Sequence, residues 1–70
     1  AILMDPHMTT DFPSRLKATR ELRGLTQAEL GKLAVLPSTT ISHFESNSRK
    51  PSFDNLRRLA KALAVSTDYL

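Results

Sequence analysis

The chain contains no cysteine. That removes both a disulfide framework and a thiolate metal site, and the two histidines, His7 and His43, lie too far apart in sequence to replace one. Neither a metal nor a cofactor is expected. No apolar run approaches the roughly 20 residues of a membrane span, and no stretch combines a basic start, an apolar middle and a small-residue cleavage site. The expectation is a cytoplasmic protein with no membrane partner. Glycine occurs only twice, at Gly24 and Gly31, so there is no glycine-rich phosphate loop, and the carboxylates are scattered rather than clustered. Strand-like alternation, internal repeats and low-complexity tracts are missing as well.

What is present is 70 residues with 10 Lys and Arg against 7 Asp and Glu, a net charge of +3. A chain this short buries a thin core with little room for a deep catalytic pocket, so a binding module is expected and not an enzyme. The basic balance is compatible with a polyanionic partner, although it does not by itself name one. Ser42, His43 and Glu45 invite a hydrolase reading, but such close neighbours on one segment cannot converge as nucleophile, base and orienter. Residues 1–7 read as a vector-derived leader with Met8 as the natural start, leaving residues 8–70 as one domain. Without Asp5 the net charge becomes +4.

From Pro13 onward the pattern is helical. Leu16, Leu22 and Leu25, set among Arg15, Lys17, Arg20, Glu21 and Arg23, predict a first helix capped by Asp11 and ended by Gly24. Thr26 with Glu29 three residues later forms a capping box for a second helix, whose expected buried stripe is Leu30, Leu33 and Ala34. Pro37 interrupts it, and a third helix starts at Pro37 or Ser38. Ile41 and Phe44 share one face of that helix, while Ser38, Thr39, Ser42 and His43 fall mostly on the others. It stops near Ser46, where Asn47 tolerates a left-handed helix end, and Ser48, Arg49 and Lys50 make a basic loop. After Pro51, Ser52 caps a fourth helix with Leu56, Leu59, Ala60 and Leu63 inward and Arg57, Arg58 and Lys61 on a solvated outer face. Ser66 caps the start of a fifth.

The second and third helices, joined tightly, make a helix-turn-helix candidate. The motif demands short hydrogen-bonding groups at the start of the second of its helices, an amide donor at the start of the first, and small residues where the two touch. Ser38 and Thr39, Gln27, and Gly31 with Ala34 meet these needs. The runs Gly24-Leu25-Thr26-Gln27-Ala28-Glu29-Leu30, Ser38-Thr39-Thr40-Ile41-Ser42-His43-Phe44-Glu45, Arg49-Lys50-Pro51-Ser52 and Leu59-Ala60-Lys61-Ala62-Leu63-Ala64-Val65-Ser66 together resemble the lambda-repressor-like family of Cro and phage-repressor type. The resemblance extends from Phe12 to Leu70.

It implies an all-α, compact five-helix bundle with helices two and three as the motif. The implied function is sequence-specific binding of double-stranded DNA by a transcription regulator, a repressor in the first place, acting as a homodimer on an inverted repeat. Carried over residue by residue, Ser38, Thr39 and His43 match base-reading positions. Thr26, Gln27, Thr40, Ser46, Arg49 and Lys50 match phosphate contacts. Arg20 and Glu45 match a partly buried structural salt bridge. Two departures stand out. Val35 occupies the turn position where the family has glycine, and a β-branched residue resists positive φ, so a different turn shape is expected. No Arg or Lys lies between Ser38 and Phe44, which rules out bidentate guanine reading by a cation there and leaves a share of the discrimination to DNA shape. The alternative is a protein-interaction module of the same fold, antitoxin-like or coactivator-type, which requires an exposed apolar patch; Leu22 and Tyr69 are its candidates.

Overall fold

The computed structural model describes residues 11–70, so the expected leader, residues 1–7, lies outside the described residues. Four helices follow one another: α1 (Phe12–Leu22), α2 (Gln27–Ala34), α3 (Ser38–Glu45) and α4 (Phe53–Leu63). The start of three of them is set by a side-chain cap. Asp11 accepts the Ser14 N–H at 3.1 Å, and the Ser14 hydroxyl together with this N–H holds the Asp11 carboxyl below its ordinary pKa. Thr26 and Glu29 close a reciprocal capping box at 3.0 and 2.8 Å, and Ser52 accepts from Asn55 at 3.1 Å. The α3 start has only Pro37 before it and no side-chain cap.

All four helices end in the same way. The residue after the last turn is left-handed, at Gly24, Val35, Asn47 and Ala64, with φ between 59° and 72°. In each case its N–H and the next one reach back to the carbonyls three and five residues earlier, the paired bonds of a Schellman motif. The expectation that Val35 would change the turn is therefore corrected. Its φ is 59° and its ψ 49°, the shape glycine would take. Bonds from Val35 N–H to the Lys32 carbonyl and from Leu36 N–H to the Gly31 carbonyl hold it there, and Arg58 donates to the Val35 carbonyl at 3.3 Å. An L-residue in this region costs about 1–2 kcal/mol, and the Val35 side chain is 75% exposed, so it recovers little by packing. Val35→Gly is expected to stabilise the fold by about 0.5–1 kcal/mol after the extra unfolded-state entropy of glycine is subtracted, a rise of several degrees in melting temperature. A thermal melt checks this; a fall would mean that the valine side chain contributes packing.

The fifth helix is reduced to one turn. Ser66 does accept the Tyr69 N–H at 3.2 Å, but the backbone bond from Tyr69 runs to Ser66, an i+3 turn and not the i+4 repeat of an α-helix.

The core lies where α3 and α4 close over α1 and α2. Leu16, Leu30, Ile41, Phe44, Leu59 and Leu63 are fully buried, with Ala34, Ala60 and Leu70 beside them. Phe12 meets Phe44 edge to face at 6.1 Å. One expected core position is corrected. Leu33 is 58% exposed, because α2 buries Leu30, Gly31 and Ala34 instead. Leu22 is exposed because, six residues after Leu16, it lies about 240° around the helix from it.

Candidate nucleic-acid interface

On α3, Ile41 and Phe44 are buried while Ser38, Thr39, His43 and Ser46 are exposed and Ser42 is half-buried. At about 100° per residue these five polar residues occupy a continuous arc of about 140°, centred opposite Ile41 and Phe44. Because the apolar pair pins one side of the helix to the core, the other side must face outward. The side chains of Ser38, Thr39, Ser42 and His43 form no hydrogen bond within the described residues and remain free for an outside partner. Thr40 falls outside the arc and is half-buried. Ser46 bonds back to the His43 carbonyl at 3.2 Å and to the Ser48 hydroxyl at 2.8 Å, tightening the helix end.

Beside this arc lies a shallow depression lined by Lys17, Arg20, Gln27, Ser42, Glu45 and Ser46. Its floor is an ion pair. Arg20 Nε donates to Glu45 Oε2 at 2.6 Å and Nη2 to Oε1 at 3.1 Å, with side chains only 11% and 5% exposed. Arg20 Nη1 also holds the Leu25 carbonyl at 2.8 Å, so one guanidinium fastens α1, the α1–α2 turn and α3 together. The Glu45 carboxylate pushes the Arg20 pKa above its already high ordinary value, so the arginine stays charged at every working pH. Gln27, half-buried at the first position of α2, donates from Nε2 to Glu45 Oε1 at 3.1 Å.

Lys17 and Ser42 belong to this surface and were not among the site residues read from the sequence. Helical spacing placed Ser42 on a polar face, but nothing local marks Lys17. Only the packing of α1 on α3 brings it beside Gln27. Thr26 is exposed, with its hydroxyl engaged in the capping box. Arg49 and Lys50 are exposed, in no ion pair among the described residues, and line a second depression with Asp11, Phe12, Asn47 and Leu56.

Most of the remaining arginines are engaged by the fold. Arg15 holds the Leu70 carbonyl at 2.6 Å, Arg23 the Leu63 carbonyl at 2.8 Å, and Arg57 and Arg58 both pair with Asp54 at 3.0 Å. Among the described residues, positive charge without an ion pair or a carbonyl partner is thus left on Lys17, Lys32, Arg49, Lys50 and Lys61.

A helix-turn-helix family model, HTH_3, matches residues 16–70. Repressor protein C2 of Salmonella phage P22 is 39% identical over 56 residues, which cover 80% of this chain and 26% of C2. The HTH-type transcriptional regulator ImmR of Bacillus subtilis (strain 168) is 38% identical over 56 residues, covering 80% of this chain and 44% of ImmR. The chain therefore spans less than half the length of either relative. Its fold is similar to the crystal structure of the P22 c2 repressor in complex with a synthetic operator, with a TM-score of 0.78 and 37% identity over 81% of this chain and 86% of that one. With α2, the left-handed turn at Val35 and α3 forming the motif, the chain belongs to this helix-turn-helix family, the lambda-repressor-like group that its own motifs resemble.

Proposed function

We propose that this chain is the sequence-specific double-stranded DNA-binding module of a cytoplasmic transcription repressor, with α3 laid in the major groove. The observation that carries the reading is the polar arc of α3, in which the Ser38, Thr39, Ser42 and His43 side chains make no hydrogen bond among the described residues, backed by the fully buried Ile41 and Phe44. The relative solved with a synthetic operator supports it. Ser38, Thr39 and His43 read base edges, with Ser42 among them. Thr26, Gln27, Thr40, Ser46, Arg49 and Lys50, joined by Lys17, meet phosphates. Two copies bind an inverted repeat, with half-sites about one helical turn apart.

Selection from random duplex DNA tests this. Enrichment of an inverted repeat is the expected result. Failure to enrich any sequence, with the protein folded, would favour the interaction-module reading. That reading has its own support: Leu33 and Val35, 58% and 75% exposed, line one groove with Ala34 and Ala62, and Leu22 and Tyr69 are exposed at 79% and 51%.

Phosphate contacts dominate affinity in this proposal, because α3 carries no cation in its first two turns. Arg49→Ala or Lys50→Ala is then expected to weaken binding to all sequences and to lower the slope of log K against log salt by about 0.9 for each phosphate no longer neutralised. Affinity measured across a salt series checks this, and an unchanged slope in both variants would rule it out.

A further inference from the structure

We infer that Glu45 is a positioning residue for DNA binding, which aims the Gln27 side-chain amide as well as holding Arg20. This rests on the proposed reading of Gln27 as a phosphate contact. Hydrogen-bond chemistry decides which end of the amide faces inward. An ionised carboxylate only accepts hydrogen bonds, so the Gln27 group 3.1 Å from Glu45 Oε1 has to be the NH2 and not the carbonyl. One N–H is fixed inward, and the planar amide then directs the other away from Glu45, at the edge of the depression shared by Lys17, Ser42 and Ser46. A phosphate oxygen needs a donor, and this second N–H is the one donor the Gln27 amide has left.

The charge arrangement favours the same role. A carboxylate beside a DNA-facing surface would repel phosphate if uncompensated. Here Arg20 binds both Glu45 oxygens and cancels that charge, leaving Lys17 as the uncompensated charge among the described residues that line the depression. Glu45 thus orients a donor toward phosphate at little electrostatic cost. A glutamine at position 45 cannot do so, since its single acceptor oxygen would be shared among three donors, two from Arg20 and one from Gln27.

The test is a double-mutant cycle of Glu45→Gln and Gln27→Ala, reading affinity for a mixed-sequence DNA duplex under conditions where circular dichroism shows each variant folded. Expected is a several-fold loss for each single variant, with Glu45→Gln adding little once Gln27 is alanine. Coupled neighbours deviate from additivity by about 2- to 100-fold. Equal losses from Glu45→Gln in both backgrounds would overturn the positioning role and leave Glu45 a purely structural residue. If Gln27→Ala itself changes nothing, the phosphate reading fails first and the inference with it.

A second measurement needs no variant of Glu45 to fold. In the wild-type protein, the two side-chain amide protons of Gln27 are expected to give widely separated NMR signals, with the Glu45-bonded proton displaced downfield. Signals at the positions of a free glutamine amide would overturn the inference.

Discussion

Replacing Glu45 with alanine is expected to destabilise the domain by about 3–5 kcal/mol, because it leaves a buried guanidinium without its counter-charge. For a domain of this size that corresponds to a fall of more than about 10 °C in melting temperature, a large share of the whole stability. The physical reason is desolvation. Arg20 is 9% exposed and has exchanged water for three hydrogen bonds, two to Glu45 and one to the Leu25 carbonyl. Asp54 provides the contrast within the same molecule. It pairs with Arg57 and Arg58, but all three side chains are about half exposed, so Asp54→Ala is expected to cost no more than about 1 kcal/mol. Parallel thermal melts of the two variants decide the matter, and similar small shifts would place the Arg20–Glu45 pair among ordinary surface contacts. Replacing both partners with apolar residues of similar volume should restore much of the stability, as far as the freed Leu25 carbonyl and Gln27 amide allow.

Gly31→Ala is expected to damage stability and DNA binding together. A Cβ added at Gly31 would stand 2.5 Å from the Leu36 carbonyl oxygen and 3.3 Å from the Ser38 nitrogen, both backbone atoms. The turn cannot simply retreat. Leu36 N–H donates to the Gly31 carbonyl at 2.8 Å, so moving Leu36 away breaks the bond that shapes the turn. Overpacking of this kind costs about 1–3 kcal/mol, enough to outweigh the roughly 1 kcal/mol that alanine gains over glycine in a helix interior. Relief would come by displacing the start of α3, the end of the helix that carries Ser38 and Thr39. Affinity for the selected DNA site should therefore fall further than stability alone explains, measured at a temperature where the variant remains folded. Greater stability with unchanged affinity would show that only helix propensity matters at this position.

Much of the fold was legible because its punctuation is local. Asp11, Thr26 with Glu29, and Ser52 act through bonds spanning three residues, and such bonds are written in short sequence windows. The same holds for Gly24 and Asn47 at helix ends, and for Ile41 and Phe44, whose spacing already separates a buried face of α3 from a polar one. Leu33 shows where periodicity stops. A helical pattern orders residues around an axis, but the direction of the core depends on where neighbouring helices lie. Here α2 approaches α3 so closely that a glycine, not a leucine, occupies the interface. Val35 illustrates a different limit: intrinsic preference argued against positive φ, and two backbone hydrogen bonds with a clamp from Arg58 outweighed it.

Residue order alone sets four helix-forming segments, most of their caps and the helix-turn-helix spacing, since each depends on neighbours within one or two turns. Which charges remain available to a partner is settled only by tertiary packing. Arg15, Arg20 and Arg23 follow closely along α1 and its end, yet they reach acceptors 55, 25 and 40 residues away, at Leu70, Glu45 and Leu63. No local pattern encodes such partners. The same long-range packing sets Lys17 beside Gln27 and Ser46, because a surface between helices exists only once the chain has closed on itself.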